Sequence, residues 1–372
     1  MPMSSSQVIV DLSAIQHNYQ EYKKLLGDQA PIMAVIKSNA YGHGMIELGK
    51  FLDGKVDILA VVSLEEALLL LKSGIKSQIF ILSFWQALEL AEISKEQISQ
   101  LSFPIYNSEM MNTLNDYGKK IQAKLRVHLK VDTGAGRVGV LASEALDFAK
   151  DLQIQSNLDW QGVYSHFASS EENLEYTMMQ LEKFKTLKTD LDQIHSGLSY
   201  HIACSAASLV LQDLGIFNLT RLGISLYGLW PDKSLKPHFG HKVNLKPALT
   251  WQTKLIHIKK IPVGAFIGYG NSHQVKRETI LGVLPIGYWD GYDRRLGNKG
   301  EVIIRGVACP VLGRICMNLT MVDLTDLPSV AYEDDVILLG AGQTADQLAE
   351  KIGTINYEVV TRINPLIERR YI

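Results

Sequence analysis

Over the first two thirds of the chain, short apolar runs alternate with longer stretches in which apolar residues recur at helical spacing. The short runs predict strands: MAVIK (33–37), DILAVVS (57–63), SQIFIL (77–82), FPIY (103–106), LRVHLKVD (125–132), QGVYSHFA (161–168), YHIACS (200–205) and LTRLGISLYG (219–228). The stretches between them predict helices. SLEEALLLLKSG offers Ser63 as an N-cap and Gly74 as a stop, and ENLEYTMMQLEKFKTLKTDLDQI predicts a long helix with one polar face. The opening QVIVDLSAIQHNYQEYKKLL reads as a short strand feeding a helix. Eight strands alternating with helices predict an α/β fold closed as a (β/α)8 TIM-type barrel, because doubly wound open sheets usually have fewer strands.

The texture changes near residue 240. Short β-rich runs bounded by Gly and Pro follow one another: ALTWQTKLIHIKKIP, TILGVLPIGY, GEVIIRGVACPVLGRIC, TMVDLT and DDVILLG. Only TADQLAEKIG reads as a helix among them. The expected division is a barrel over 10–240 followed by a C-terminal, mainly antiparallel β domain over 241–372, which residues 1–9 could also join.

Composition narrows the function classes. A formal net charge of -2, without any block of like charges, argues against a nucleic-acid partner. The richest apolar stretch, DILAVVSLEEALLLLKSG, is interrupted by Asp57, Glu65 and Glu66 and is not expected to span a membrane. MPMSSSQ lacks the basic and apolar regions of a leader, and Cys204, Cys309 and Cys316 form no CxxC pair, so a reducing, cytoplasmic location is expected. No HxH or multi-carboxylate cluster stands at the strand ends, so no metal is expected.

Barrels of this kind carry their chemistry at the C-terminal ends of the strands. The first strand delivers Lys37. The fifth ends near Lys130 and Asp132, with Gly134, Gly136 and Arg137 just beyond. The sixth ends at His166, the seventh at Ser205, and the eighth carries Arg221 and Gly223. A lone lysine at such a position usually just reaches solvent. A neutral amine can also form a Schiff base with an aldehyde, of which pyridoxal 5'-phosphate (PLP) is the common enzymatic example. The neighbours favour the second reading. Tyr41 and Gly42 follow Lys37 closely, and Ser205, Gly223 and Ile224 put a hydroxyl and backbone amides in the last two βα loops, where barrels often bind phosphate.

With these residues in view, the chain resembles the alanine racemase family, PLP enzymes built from a barrel and a C-terminal β domain. AVIKSNAYGHG is similar to the family's PLP-lysine signature. HLKVDTGAGRVG, GVYSHFA, TRLGISLYG, IGYG, LPIGYWDGY, GRICMN and INYE match further blocks in the same order. The resemblance implies that Lys37 holds PLP and acts as the base on one face of the substrate, with Tyr269 of IGYG as the base on the other. Two bases suit racemisation, which removes a proton from one side of the α-carbon and returns one to the opposite side. It further implies that His166 contacts Tyr269 and links to Arg221, which faces the pyridine nitrogen. A permanent guanidinium there disfavours protonation of that nitrogen and should limit transamination. Arg137 would bond the phenolic oxygen of the cofactor and the substrate carboxylate, supported by Lys130, a lysine that is often carbamylated in the family. Tyr41, Ser205, Gly223, Ile224 and Tyr357 would bind the phosphate. Tyr288 and the backbone of Met317 would line the substrate passage. The family's second base comes from the other subunit, which implies a head-to-tail homodimer with shared sites.

The chain departs from the family pattern in places. Cys204 stands where Asn is usual, Asn318 where Asp is usual, and NPLIERRYI differs from the common ending. Cys204 reads as a buried small residue rather than a nucleophile. The implied activity is interconversion of L- and D-alanine, supplying or degrading D-alanine. A racemase of broader or serine specificity and a PLP barrel decarboxylase are the alternatives. The decarboxylase is disfavoured by the absence of a GGG-type run and the presence of IGYG. A non-catalytic PLP carrier is disfavoured by the added β domain.

Overall fold

The computed structural model describes residues 6–27, 30–211 and 219–372. The chain divides into two compact units. One comprises the chain up to Gln16, Tyr41–Gly44 and Lys246–Ile372, and the other His17–Ala40 with Met45–Leu245.

Strand β1 (Ser6–Val10) opens the chain. The larger unit then contributes β2 (Ile32–Val35), β3 (Ile58–Ser63), β4 (Ile79–Phe84), β5 (Leu101–Ile105), β6 (Leu125–Asp132), the two-residue β7 (Val140–Leu141), β8 (Leu158–Tyr164), β9 (Ser199–His201) and β10 (Thr220–Leu222). The sheet runs β10-β2-β3-β4-β5-β6-β8-β9, with β7 beside β6, and every pairing is parallel. A parallel bridge between Cys204 and Arg221 brings its two ends together, with the Arg221 amide donating to the Ala203 carbonyl at 3.1 Å. The result is a nearly closed eight-stranded barrel. Its strands read as continuous apolar runs because both faces are covered: Ile32, Met33 and Ala34 of β2 are all fully buried.

Several strands differ from expectation at the end that carries the chemistry. β2 stops at Val35, two residues before Lys37, and β8 runs over Leu158–Tyr164, leaving His166 beyond its end. β9 and β10 have only three residues each, so Ser205, Gly223 and Ile224 lie past them. At the ends of β8 and β9 the chain turns to a side chain: the Arg221 guanidinium donates to the carbonyls of Ser165, His201 and Ile202, and the His201 carbonyl also accepts the Ser165 amide.

The helices follow their caps. Leu64–Lys72 starts after Ser63, whose hydroxyl accepts the Glu66 amide, and ends at Ser73 before Gly74 at φ 87°. Leu174–Ile194 begins two residues later than its pattern alone indicates, because Asn173 caps it by accepting the Tyr176 amide at 2.9 Å.

The smaller unit contributes β11 (Leu249–Lys254), β12 (His257–Ile261), β13 (Thr279–Leu284), β14 (Glu301–Ile304), β15 (Val307–Pro310), β16 (Thr320–Asp323), β17 (Asp335–Leu339) and β18 (Glu368–Tyr371). They form a six-stranded sheet, β15-β14-β17-β11-β1-β18, and a three-stranded sheet, β12-β13-β16. All pairings are antiparallel except β1 with β18. The predicted helix appears as Ala345–Ile352, and a second, Asn356–Thr361, follows it unpredicted, since six residues are too few to display a period. Among the described residues no helix is long and apolar enough to cross a membrane.

Candidate active site

Lys37 follows β2 after Ile36, whose amide donates to the Ala60 carbonyl of β3 at 2.8 Å. The next four residues, Ser38, Asn39, Ala40 and Tyr41, all adopt the left-handed helical conformation, with φ of 54, 53, 53 and 53°. Each such residue costs roughly 1–2 kcal/mol in an L-chain, so a run of four persists only if its surroundings hold it. Three hydrogen bonds do so in the barrel unit. The Ser38 amide donates to Glu66 Oε1 at 2.7 Å, the Ala40 amide to the Ile36 carbonyl at 2.9 Å, and the Met45 amide to Asn39 Oδ1 at 3.0 Å. Glu66 is itself fixed by the Val62 amide at 2.8 Å. The turn thus aims Lys37 by strain rather than by glycine. Only after it do Gly42 and Gly44 turn the chain, at φ 84 and 100°.

Arg221 is the hub of the barrel mouth. It is buried, and its Nη1 donates to His201 Nδ1 at 2.8 Å while Nη2 reaches His166 Nδ1 at 3.2 Å. A guanidinium only donates, so both Nδ1 atoms accept and both imidazoles carry their proton on Nε2. His201 Nε2 then donates to His128 Nδ1 at 3.1 Å. Tyr164 stacks on His201 with ring centres 5.0 Å apart and planes 3° from parallel, and its hydroxyl donates to the Leu82 carbonyl. Burial pushes His128 down to about 3. His201 and His166 lie well below the usual histidine range, first through burial and then through Arg221. All three are therefore neutral at neutral pH. His166 is left with its Nε2–H as the group it can offer a partner.

Four cations converge here. Burial and then Arg137 lower Lys37, and burial, Arg221, Arg137 and Lys37 push Lys130 down to about 8. Arg137 is exposed and sits at the end of a loop wrapped around Asp132, whose carboxylate accepts the amides of Gly134, Ala135, Gly136 and Arg137. Burial alone would raise Asp132, but those amides outweigh it and hold it below its usual value. With that carboxylate committed to the loop, the surplus of positive charge calls for an anionic ligand. On the other side of the mouth, Ser205 Oγ accepts the Gly223 amide at 3.1 Å and Ser205 O accepts the Tyr22 hydroxyl at 3.0 Å. The turn Ile224–Tyr227 is pinned by the Tyr227 hydroxyl donating to Val35 O at 2.8 Å. Cys204 is half-buried rather than buried, with Sγ 3.6 Å from the Ser170 hydroxyl.

The remaining candidates lie in the smaller unit. Tyr41 and Tyr357 face each other with ring centres 6.1 Å apart. Tyr269 is 70% exposed, at a tip between Gly268 and Gly270, both at φ 70°. A Cβ on Gly270 would sit 2.7 Å from the Arg314 guanidinium, so that glycine lets the tip pack down. Tyr288 and Met317 are brought together by amides of Tyr288 and Trp289 donating to the carbonyls of Cys316 and Met317 at 3.0 and 3.1 Å. Both side chains and Asn318 are exposed. Among the described residues no group of three or more His, Cys, Asp or Glu is placed to hold a metal.

Comparison with known proteins decides the family. Residues 10–231 match the alanine racemase N-terminal domain and residues 248–371 the alanine racemase C-terminal domain. The chain belongs to the alanine racemase family. It is 38% identical over 371 residues to alanine racemase 1 of Clostridium acetobutylicum, covering 98% of this chain and 94% of that one. The alanine racemase of Clostridium difficile 630 superposes with a TM-score of 0.93 at 32% identity, covering 100% of this chain and 97% of that one. The Bacillus anthracis enzyme, solved with bound L-Ala-P, gives 0.90 at 32% identity, covering 100% of this chain and 96% of that one. The protein is accordingly a PLP-dependent isomerase. The barrel mouth suits that cofactor on its own chemistry: an amine whose burial favours the neutral, nucleophilic form, a cluster of cationic side chains, and a buried guanidinium.

Reading strand ends alone misses His128, His201, Tyr164 and Glu66. Of these, His128 had a signal: in LRVHLKVD it stands two residues from Lys130, on the same face of the strand, opposite the apolar face of Val127, Leu129 and Val131.

Proposed function

We propose that the protein interconverts L- and D-alanine, with Lys37 and Tyr269 as the bases on opposite faces of the substrate. The full-length similarity to alanine racemases, with Lys37 and Tyr269 each held in its matched motif, carries this reading. Lys37 would hold PLP, which would supply electron withdrawal from the α-carbon once the substrate amine has displaced the lysine amine and freed it. Lys37 takes or returns that proton on one face. Tyr269 does so on the other, and a phenol acting as a base needs a donor that favours phenolate, the role assigned to the Nε2–H of His166. Arg221 holds His166 in the required tautomer and would face the pyridine nitrogen of the bound cofactor, where its permanent charge would disfavour protonation. Arg137 holds the substrate carboxylate. Tyr41, Ser205, Gly223, Ile224 and Tyr357 hold the phosphate, and Tyr288 with Met317 lines the passage for substrate. Lys130, pushed down to about 8, keeps a neutral fraction that reacts with carbon dioxide, and the resulting carbamate would turn its repulsion of Arg137 into attraction.

The assembly that serves this chemistry is a head-to-tail homodimer in which Tyr269, Tyr288 and Met317 complete the partner's site. A cytoplasmic enzyme supplying D-alanine to peptidoglycan is the proposed setting. The test is incubation of the purified protein with L-alanine in heavy water. Loss of optical rotation together with α-deuteration is expected. Unchanged rotation would overturn the proposal, and release of carbon dioxide would favour a decarboxylase. The same assay with L-serine measures breadth.

A further inference from the structure

The segment Tyr41–Gly44, which continues from the left-handed turn, is anchored by the end of the chain. Arg369, on the edge strand β18, uses all five of its N–H groups on backbone carbonyls. Nη1 donates to Asn364 and Ile367 at 2.6 and 2.5 Å, Nη2 to Ile363 at 3.1 Å, and Nε and Nη2 together grip the Gly42 carbonyl at 3.2 Å each. Two residues on, the Tyr371 hydroxyl donates to the His43 carbonyl at 3.2 Å. The loop fits against these groups without spare room. A Cβ on Gly44 would lie 1.8 Å from the Tyr371 hydroxyl, and one on Gly42 would lie 2.1 Å from the Val360 carbonyl. The same segment carries Tyr41, whose ring meets Tyr357.

We propose that Arg369 and Tyr371 are positioning residues that clamp Tyr41–Gly44, so that the last strand of the chain sets the affinity for the cofactor phosphate. This rests on Tyr41 being a phosphate ligand. A strained segment relaxes when its anchors are removed, and a relaxed loop loses the phenol's aim at the phosphate before it disturbs the bases. The clamp therefore acts on cofactor retention more than on turnover.

The experiment compares the wild-type holoenzyme with Arg369→Met, Arg369→Lys and Tyr371→Phe. Five quantities are read: PLP Kd by equilibrium dialysis, kcat and KM at saturating PLP, thermal midpoint, and hydrogen exchange of a peptide covering residues 38–44. Arg369→Met is expected to weaken PLP binding by about tenfold or more, since its bonds from a charged group are the stronger kind. Arg369→Lys should recover part of that loss, and Tyr371→Phe should show a smaller one. Exchange over 38–44 should rise in step, while kcat at saturating PLP stays within about twofold, because the bases are untouched. A lowered thermal midpoint with unchanged Kd overturns the proposal and leaves Arg369 a purely structural residue. Should Arg369→Met fail to fold, Tyr371→Phe and Arg369→Lys decide by the same readouts. Borohydride reduction and peptide mapping separate the underlying reading. A wild-type protein with no cofactor trapped on Lys37 removes the site itself. A trapped cofactor with Kd unaffected by Tyr41→Phe removes the phosphate role of Tyr41, and the clamp with it.

Discussion

Lys37 and Tyr269 divide the proposed reaction between two kinds of local structure. The amine stands after a buried strand on a strained turn, and the phenol at an exposed tip between two glycines. Tyr269→Phe should therefore abolish α-deuterium exchange for one enantiomer of alanine while sparing the half-reaction of the other. Lys37→Ala, supplied with PLP and an external amine, should show the reverse preference. Proton NMR of each enantiomer in heavy water checks this, and equal loss for both in Tyr269→Phe would count against the assignment. Gly42→Ala tests the turn. Its Cβ would meet a backbone carbonyl at 2.1 Å on a residue at positive φ, so a loss of about 2–4 kcal/mol in urea unfolding is expected. At this scale Lys37 was legible as a candidate, because a lysine closing an apolar run with Tyr41 and Gly42 just beyond it is conspicuous. The left-handed turn was not, since Ser-Asn-Ala-Tyr contains no glycine and takes that conformation only because Glu66 and its neighbours hold it.

Strands β6 and β9 contribute the buried histidines, and their cost appears as a pH dependence. His128 and His201 are neutral in the fold, whereas in the unfolded chain each takes up a proton below its ordinary pKa of about 6.5. The unfolded state then binds more protons, so stability rises with pH. The contribution is complete above about pH 6.5 and is lost as the pH falls, by up to about 1.4 kcal/mol per histidine per pH unit. Urea unfolding at pH 7 and pH 5.5 should show this decline, and His128→Gln should flatten it. The elements themselves were readable where periodicity was long, as in Leu64–Lys72 and Leu174–Ile194. Asn356–Thr361 and β18 escaped notice because each is short and owes its form to what it packs against. The strand ends were misplaced for a related reason: the carbonyls of Ser165 and Ile202, just past them, are held by the Arg221 guanidinium, a contact that no local pattern records.

For the whole molecule, the exposed aromatic and apolar residues Phe266, Tyr269, Tyr288, Trp289, Met317 and Leu319 are a cost to a monomer and fit the proposed shared site. Specific activity should fall on dilution in parallel with dissociation measured by analytical ultracentrifugation. Mixing inactive Lys37→Ala and Tyr269→Phe chains should restore activity in hybrid dimers, up to about one site in two. A monomeric enzyme with full activity would exclude the shared site.

The chain's pattern of apolar runs was enough to establish a barrel followed by a β domain, because buried parallel strands and turn-bounded antiparallel ones leave different local signatures. Its motifs likewise pointed to Lys37, Arg137, His166 and Arg221 as candidates, through residue type and place at or beyond a strand end. Tertiary structure alone decided how those groups are charged and aimed. The tautomers of His166 and His201 follow from one guanidinium that only donates. The depression of Lys37 and Lys130 follows from burial among other cations. The grip of Arg369 on the Gly42 carbonyl joins residues more than three hundred positions apart. Such effects depend on distance and solvent exclusion, which no local stretch of sequence records.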